Sequence, residues 1–322
     1  MVSREGTVDT QPTGARARLP ALQRIISHLP TQAVLLMMLA IGFYALQDVC
    51  VKSLPSSIHL VEILFWRSVF ALPILLLLVK TERHPNPWHT QKPLHHLLRA
   101  LFSSIATLFF IASFRQMPLG DAYALTFSAP LFMALLGALL LKENPPPHRW
   151  QAVFMGFVGV WVICEPSLDT PSLYLIPLVG GLFHGLAQLS LRGLTKEDST
   201  SLIVATLLGT SLFLCAPLMF QHSWNYSTHE LTLFMGVGLL GGFAQWLMTH
   251  AFRKASLTFL APFDYIALLW GIGFDFALWH HRPSQYLMGG TCLILGANFY
   301  LMWQERRHHK KQMRAAPHTV LR

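Results

Sequence analysis

Long apolar runs constrain the fold of this chain more than any other feature of its sequence. An α-helix needs about 20 mostly apolar residues to cross a hydrocarbon core of ~30 Å. The 322 residues contain ten such stretches, separated by short polar connections. The stretches run over residues 33–53, 58–79, 96–115, 119–141, 149–164, 172–192, 200–220, 231–251, 257–279 and 285–303. The pattern predicts an all-α polytopic membrane protein with ten transmembrane helices.

The composition agrees with this prediction and excludes other classes of protein. Hydrophobic residues make up 53% of the chain and charged residues 12%, whereas ordinary globular domains carry about 25% charged residues. A net charge of +9 would suit a nucleic-acid-binding protein, but here the basic residues lie between apolar runs and do not form one water-facing surface. We therefore expect a lipid bilayer as the surroundings, and no nucleic-acid partner.

The sequence offers no signal for a metal or a cofactor. All four cysteines lie inside apolar runs, without a CxxC pair or a His/Cys spacing typical of metal sites. We interpret them as buried apolar residues and expect neither a metal site nor a cofactor. Residues 1–32 are predicted to be a polar cytoplasmic lead without the apolar core of a signal peptide, and residues 304–322 a basic cytoplasmic tail.

The distribution of basic residues predicts the orientation. Ten spans place both termini on one side of the membrane. If that side is the cytoplasm, twenty of the 24 Lys and Arg residues lie inside, Lys52, Arg115 and Arg282 lie outside, and Arg67 lies within a span. Since cytoplasmic loops are rich in Lys and Arg, we expect a multi-pass protein of the inner (cytoplasmic) membrane with both termini cytoplasmic.

The two halves of the chain resemble each other weakly. Residues 42–54 of the first span parallel residues 182–194 of the sixth, so that Lys52 aligns with Arg192. Two further pairs of segments match in order along the chain. They are 112–119 (ASFRQMPL) with 250–257 (HAFRKASL), and 126–130 (TFSAP) with 258–262 (TFLAP). The last pair requires a gap of six residues relative to the pair before it.

This similarity predicts inverted repeats. Each unit contains five spans, an odd number, so two tandem units enter the membrane in opposite orientations. We expect one five-helix repeat over residues 33–164 and a second over 165–303. Inverted repeats of this kind bind their substrate near the midplane, between the two units.

Several short motifs lie along these spans. They are Phe65-Trp66-Arg67, Arg115–Ala122 (RQMPLGDA), Ser128–Phe132 (SAPLF), Leu141-Lys142-Glu143, Arg149–Val160 and Ala261–Tyr265 (APFDY). Together they resemble the EamA-domain carriers of the drug/metabolite transporter superfamily, and most of all the bacterial riboflavin and S-adenosylmethionine uptake carriers. The resemblance implies a small-molecule solute that is riboflavin-like, S-adenosylmethionine-like or amino-acid-like. In one respect the chain departs from it, because Trp279, His280 and His281 stand where the family ends the ninth span with an acidic residue.

Charged and polar residues inside the spans are the candidates for a solute site. A charge at the bilayer centre costs ~3 kcal/mol or more unless it faces a partner or water. Arg67 lies roughly 13 Å into its span, and Asp264 and His184 reach a similar depth from the second half. Pro262, next to Asp264, favours a discontinuous helix there. Alternatively, Arg67 forms a structural ion pair and His184 an interhelical hydrogen bond.

Further polar and aromatic side chains complete the predicted site. The candidates for solute binding besides these three are Trp66, Tyr123, Gln188, Gln245, Trp246 and Tyr265. Asp48 and Glu62 lie less deep, and we interpret them either as an outer vestibule that attracts cations and couples proton movement, or as side chains that only reach towards the membrane surface.

Three classes of function are compatible with a polytopic chain. The inverted repeat favours a secondary transporter that moves a small organic metabolite by alternating access. The chain has no phosphate-binding loop, so any energy would come from a proton or another ion through Asp264, Asp48 or Glu62, or from the solute gradient. An intramembrane enzyme is the alternative, but neither HExxH nor GxSG occurs, and we expect no enzyme. A channel or receptor would not need the repeat.

Overall fold

The computed structural model describes residues 31–82, 87–140, 147–164, 171–191, 198–221, 224–255 and 260–315. Within these ranges the chain consists of helices and turns, without a strand, so the predicted all-α class is confirmed. Several parts of the sequence interpretation lie outside the described residues. They are the lead before Thr31, the Leu141–Glu143 motif, Arg192, the TF of TFLAP and the end of the tail.

The helices follow the predicted spans closely. In chain order they are α1 (Thr31–Ser53), α2 (Leu60–Glu82), α3 (Pro93–Gln116), α4 (Leu119–Thr126), α5 (Ala129–Leu140), α6 (Pro147–Ile163), α7 (Pro171–Leu191), α8 (Thr200–Met219), α9 (Thr228–Lys254), a 3₁₀ helix (Ala261–Tyr265), α10 (Ile266–Trp279) and α11 (Gln285–Ala315). Every backbone polar group must be hydrogen-bonded in lipid, so long apolar runs form helices.

Among the residues that the structure describes, eight helices are long and apolar enough to cross a membrane. They lie in α1, α2, α3, the combined α4–α5 segment, α7, α8, α9 and the first part of α11. The chain is therefore a multi-pass membrane protein. Residues Trp150–Ile163 of α6 form a shorter apolar helix, and α10 has 14 residues after the 3₁₀ helix. The count of ten spans depends on these two shorter segments and stays a prediction.

Contacts between the connecting segments define two ends of the bundle. At the first, the Lys52 end, Lys52 of α1 contacts Asp275 of α10 and the carbonyl of Met117 after α3. At the second, the Glu82 end, Glu82 of α2 accepts a hydrogen bond from the Thr200 N–H at the start of α8. Consecutive helices therefore run in alternating directions between these ends.

The helices pack in distinct pairs. The most extensive contacts join α1 with α9, α6 with α11, and α3 with α7, followed by α2 with α9 and α8. Small residues allow the closest approach, as is common between helices in lipid. In the α6–α11 pair, a Cβ atom added to Gly159 would lie 2.7 Å from the carbonyl oxygen of Gly290.

Two helical segments are interrupted at related motifs. The break between α4 and α5 falls within TFSAP, and the 3₁₀ helix begins at the AP of TFLAP. Pro130 and Pro262 have no backbone N–H to extend an α-helical ladder, and the Ser128 N–H bonds the Leu125 carbonyl three residues back, in the 3₁₀ manner. The discontinuity expected beside Asp264 is thus present, and a second one lies in the first half.

We expect Gly159→Ala to destabilise the chain by about 1–3 kcal/mol, because the added methyl group meets the backbone of α11, which cannot rotate away. The measurement is the melting temperature of the purified chain in detergent. Gly296→Ala is the matched control, since nothing lies within 4 Å of a Cβ atom at Gly296. Equal melting temperatures for the two variants would contradict this account of the α6–α11 contact.

Candidate functional site

A buried polar cluster lies where α1, α2 and α4 meet. The Asp48 carboxylate accepts a hydrogen bond from the Tyr123 hydroxyl at 2.6 Å and one from the Gln47 amide at 2.8 Å. The Gln47 oxygen in turn accepts a hydrogen bond from Arg67 Nε at 3.3 Å. A neutral amide therefore connects the carboxylate of Asp48 with the guanidinium of Arg67. Within the described ranges, Arg67 forms no ion pair with a carboxylate.

Tyr44 extends this cluster to α9 and towards the 3₁₀ helix. Its hydroxyl donates a hydrogen bond to the Gln245 side-chain oxygen at 2.7 Å. The 3₁₀ helix that carries Asp264 contacts α1, which carries Tyr44. The structure thus brings Asp264 to the helix whose Gln47 bonds Arg67.

An open cleft borders the cluster between α2, α8 and α9. Its cavity volume is about 40 Å³, and the cleft continues into space that is open to the surroundings of the bundle. Arg67, Gln245 and Trp246 line it, together with aliphatic side chains and three glycines. No hydrogen bond joins the terminal nitrogens of Arg67 to any residue in the described ranges. Arg67 is therefore held through Nε, while its terminal donors remain available to a molecule in the cleft.

Glycines of α9 set the position of Gln47 and Arg67. A Cβ atom at Gly241 would overlap the Gln47 side-chain oxygen, and one at Gly238 would lie 3.0 Å from the carbonyl oxygen of Arg67. Helices α1 and α2 approach α9 closely because these positions carry no side chain. The glycines thus shape both the polar cluster and the wall of the cleft.

An ion pair at the Lys52 end was not predicted from the sequence. Asp275 of α10 is 3% exposed, and its carboxylate lies 3.2 Å from Lys52 Nζ. It also accepts a hydrogen bond from the Gly120 N–H, in the first turn of α4, at 2.8 Å. Lys52 Nζ additionally donates to the Met117 carbonyl oxygen at 2.8 Å and lies 4.8 Å from the centre of the Trp279 ring.

A different alignment of the two halves would have identified Asp275. Glu143 follows Pro130 by 13 residues, and Asp275 follows Pro262 by the same distance. Aligning the halves on T-F-x-A-P therefore assigns the acidic position of the second half to Asp275 instead of Trp279. The sequence comparison missed it because it aligned the ends of the spans, and α10 continues for one turn beyond Asp275.

Glu62 and Trp66 lie together at the Lys52 end, apart from the cleft lining. Glu62 accepts hydrogen bonds from the Tyr226 hydroxyl at 2.7 Å and the His59 N–H at 2.9 Å. Burial, with this hydrogen bond to Glu62, raises the pKa of Tyr226 to about 12, so its hydroxyl remains a donor. The Trp66 ring packs among other aromatic rings, including those of Tyr226 and Phe234.

Three other predicted residues occupy separate parts of the bundle. The His184 ring of α7 lies 6.0 Å from that of Phe110 in α3, and Gln188, one turn further, is exposed. The Tyr265 ring packs 4.9 Å from the Phe127 ring, at the break between α4 and α5. The structure therefore assembles Arg67, Asp48, Tyr123, Gln245 and Asp264 in one region, with Trp246 on the adjoining cleft, and leaves these three residues outside it.

Comparison with known proteins agrees with this architecture. Residues 31–164 match the EamA-like transporter family. The resemblance indicated by the sequence motifs is thereby confirmed. A solved protein structure aligns over 86% of this chain and 98% of its own, with a TM-score of 0.56 and 17% identity, which is a likeness of fold alone.

Curated relatives of the chain are transporters. It is 29% identical over 254 residues to a riboflavin transporter of Rhizobium johnstonii, covering 77% of this chain and 82% of the relative. It is 26% identical over 266 residues to an S-adenosylmethionine uptake transporter of Rickettsia prowazekii, covering 82% and 90%. It is 25% identical over 280 residues to a pseudopaline exporter of Pseudomonas aeruginosa, covering 85% and 96%. The chain is thus similar over most of its length to carriers of small molecules.

We expect Gly241→Ala to reduce transport at least tenfold, because the new methyl group displaces Gln47 from Arg67. The measurement is uptake of riboflavin and S-adenosylmethionine, the solutes of two relatives, by cells that express equal amounts of each variant. Gly209→Ala in α8 is the control, since nothing lies within 4 Å of a Cβ atom there. Equal uptake by both variants would show that the position of Gln47 does not matter.

Proposed function

We propose that this chain is a secondary transporter that moves a small organic metabolite across the cytoplasmic membrane by alternating access. The observation that carries the proposal is the Asp48–Gln47–Arg67 cluster beside an open cleft. Pockets for small molecules are mostly apolar with a few placed polar groups, and this cleft has that composition. The riboflavin, S-adenosylmethionine and pseudopaline carriers among its relatives favour a solute of similar size.

The proposed transporter has ten spans in two inverted repeats. Its packing supports this. If each span of the first half is exchanged with the span at the same place in the second half (the first with the sixth, the second with the seventh, and so on), the helix pairs with the most extensive contacts map onto one another or onto themselves. The α1–α9 pair then becomes α7–α3, the α2–α9 pair becomes α8–α3, and the α6–α11 and α2–α8 pairs map onto themselves. The two helix breaks at T-F-x-A-P also fall in counterpart spans.

In this proposal the Glu82 end faces the cytoplasm. Lys80, Arg253 and Lys254 lie near that end, and the Lys52 end carries Lys52, Arg115 and Arg282. Consecutive helices alternate in direction. In the sequence, most of the remaining basic residues stand next to those ends of the helices that lie at the Glu82 end. The positive-inside rule then makes both termini cytoplasmic.

The proposed solute site is the cleft beside Arg67. The terminal donors of Arg67 suit an acceptor oxygen or nitrogen of the solute, and the Trp246 indole suits a planar ring. Asp264 is the stronger candidate for proton coupling in this region. Its carboxylate forms no hydrogen bond to a residue in the described ranges, whereas that of Asp48 accepts two.

In alternating access the two ends of the bundle open one after the other, so the contacts that close each end must break in turn. The Lys52–Asp275 ion pair joins α1 of the first half to α10 of the second. At the other end, Glu82 joins α2 to the start of α8 through the Thr200 and Ser201 N–H groups, at 2.6 and 2.7 Å, and lies 3.4 Å from Arg253. Both sets of contacts cross between the halves, so both are suited to hold one conformation and to release in another.

We expect Asp264→Asn and Arg67→Gln each to abolish transport while leaving expression and membrane insertion near the level of the unmodified chain. Each change removes a charge that is costly in the bilayer unless it faces the solute or water. Arg282→Gln, which removes an exposed charge, is the control. The measurement is uptake of a metabolite panel including riboflavin and S-adenosylmethionine. Unchanged uptake by Asp264→Asn would refute its role.

We expect Asp275→Asn to favour a conformation open at the Lys52 end, because it leaves Lys52 buried without its counter-charge. The measurement uses Cys50, two residues before Lys52, in a variant without the other three cysteines. A membrane-impermeant maleimide should modify Cys50 about tenfold faster in Asp275→Asn. The apolar double variant Lys52→Met/Asp275→Leu should return the rate towards the starting value. An unchanged rate in Asp275→Asn would mean that the ion pair is not part of a gate.

A further inference from the structure

A second cation, Arg99 of α3, lies within the bundle away from the Arg67 cluster. Its Nε and Nη1 atoms are enclosed by the protein, and neither has a hydrogen-bond partner in the part of the chain that the structure describes. The enclosed donors of a charged group carry a desolvation cost that a partner must offset. Arg99 therefore occupies a position that suits a negatively charged partner.

Two carboxylates at the same end of the bundle as Arg99 are already engaged. One turn before Arg99 on the same helix, the imidazole of His96 lies 3.0 Å from the Asp198 carboxylate. At the same end of the bundle, Glu82 is bound by the start of α8 and by Arg253. The described ranges contain no ion pair between Arg99 and a carboxylate.

The interface between α3, which carries Arg99, and α7 contains several aromatic rings. In the α3–α7 seam the Phe183 ring lies 6.2 Å from that of Phe102 and 6.3 Å from that of Phe109, stacked nearly parallel with the latter. Helix α7 also carries His184, whose ring lies 6.0 Å from that of Phe110 in α3. A guanidinium on α3 and an imidazole on α7 thus belong to one pair of contacting helices, whose interface is otherwise lined by rings.

This seam is the counterpart of the seam next to the proposed solute site. Under the exchange of halves, α3–α7 corresponds to α1–α9, and the alignment of residues 42–54 with 182–194 pairs Tyr44 with His184. Tyr44 bonds Gln245 near Arg67. The first helix of each half thus carries an aromatic or imidazole side chain at this position, and a helix that contacts it carries an arginine.

We propose that Arg99, together with His184 of the contacting helix α7, binds a carboxylate or phosphate group of the transported solute, as a second binding station in the half of the bundle nearer the Glu82 end. The proposal rests on the proposed transport function, because a solute released at that end passes this half. A guanidinium is the preferred partner of both anionic groups, since its N–H donors match their oxygens in pairs.

The test is anion binding by the purified full-length chain in nanodiscs of phosphatidylcholine. Inorganic phosphate is titrated against chloride at equal ionic strength, and the melting temperature is followed. We expect a saturable rise with phosphate that weakens at least tenfold in Arg99→Gln and is partly kept in Arg99→Lys. Arg282→Gln, which removes an exposed charge, should bind phosphate like the unmodified chain, which separates this station from surface charge.

Several outcomes would overturn the proposal. They are the absence of saturable binding, unchanged binding in Arg99→Gln, and loss of phosphate binding when the nanodiscs contain phosphatidylglycerol, which would identify a lipid headgroup as the occupant. If Arg99→Gln does not fold, phosphate binding is measured in Arg99→Lys and His184→Asn instead. Unchanged phosphate affinity in both variants would contradict the proposed binding station. Phosphate binding at Arg99 in a chain that transports no solute would refute the proposed function and leave the anion site standing.

Discussion

The cost of a charge without a partner in an apolar bundle governs the arrangement of this protein. Asp48 lies among helices and is 6% exposed, and its charge is stabilised by a hydroxyl and an amide. A neutral side chain, Gln47, also orients Arg67. Because the guanidinium is held through Nε without a counter-charge in the described ranges, its terminal donors are not consumed by the fold.

The two ends of the bundle use one chemical arrangement. At the Glu82 end, a carboxylate at the end of α2 accepts hydrogen bonds from N–H groups at the start of α8 and lies beside Arg253. At the Lys52 end, the Asp275 carboxylate accepts one from the start of α4 and pairs with Lys52. A carboxylate at a helix N-terminus satisfies free donors and complements the helix dipole. Such contacts stabilise the helix ends at both sides of the bundle.

The helices and the individual polar residues could be predicted from the sequence. Which of these polar residues lie together in the folded chain could not. Depth along a span follows from residue number, so Arg67 and Asp264 could be assigned to one level. Depth says nothing about rotation about the helix axis or about which helices are neighbours. For that reason His184, at a similar predicted depth, lies in the α3–α7 seam instead of the Arg67 cluster. Asp275 escaped notice because a gap had to be assigned between two weakly similar halves.

The sequence by itself determined that this chain forms membrane-crossing helices, where one of them breaks, and which residues are too polar to face lipid. These features depend on local chemistry, namely backbone hydrogen bonding in an apolar medium and the missing N–H of proline. The tertiary structure alone decided which polar groups meet. That outcome depends on how closely helices approach, as at Gly241 against Gln47, where the absence of one side chain lets residues from distant parts of the chain share hydrogen bonds.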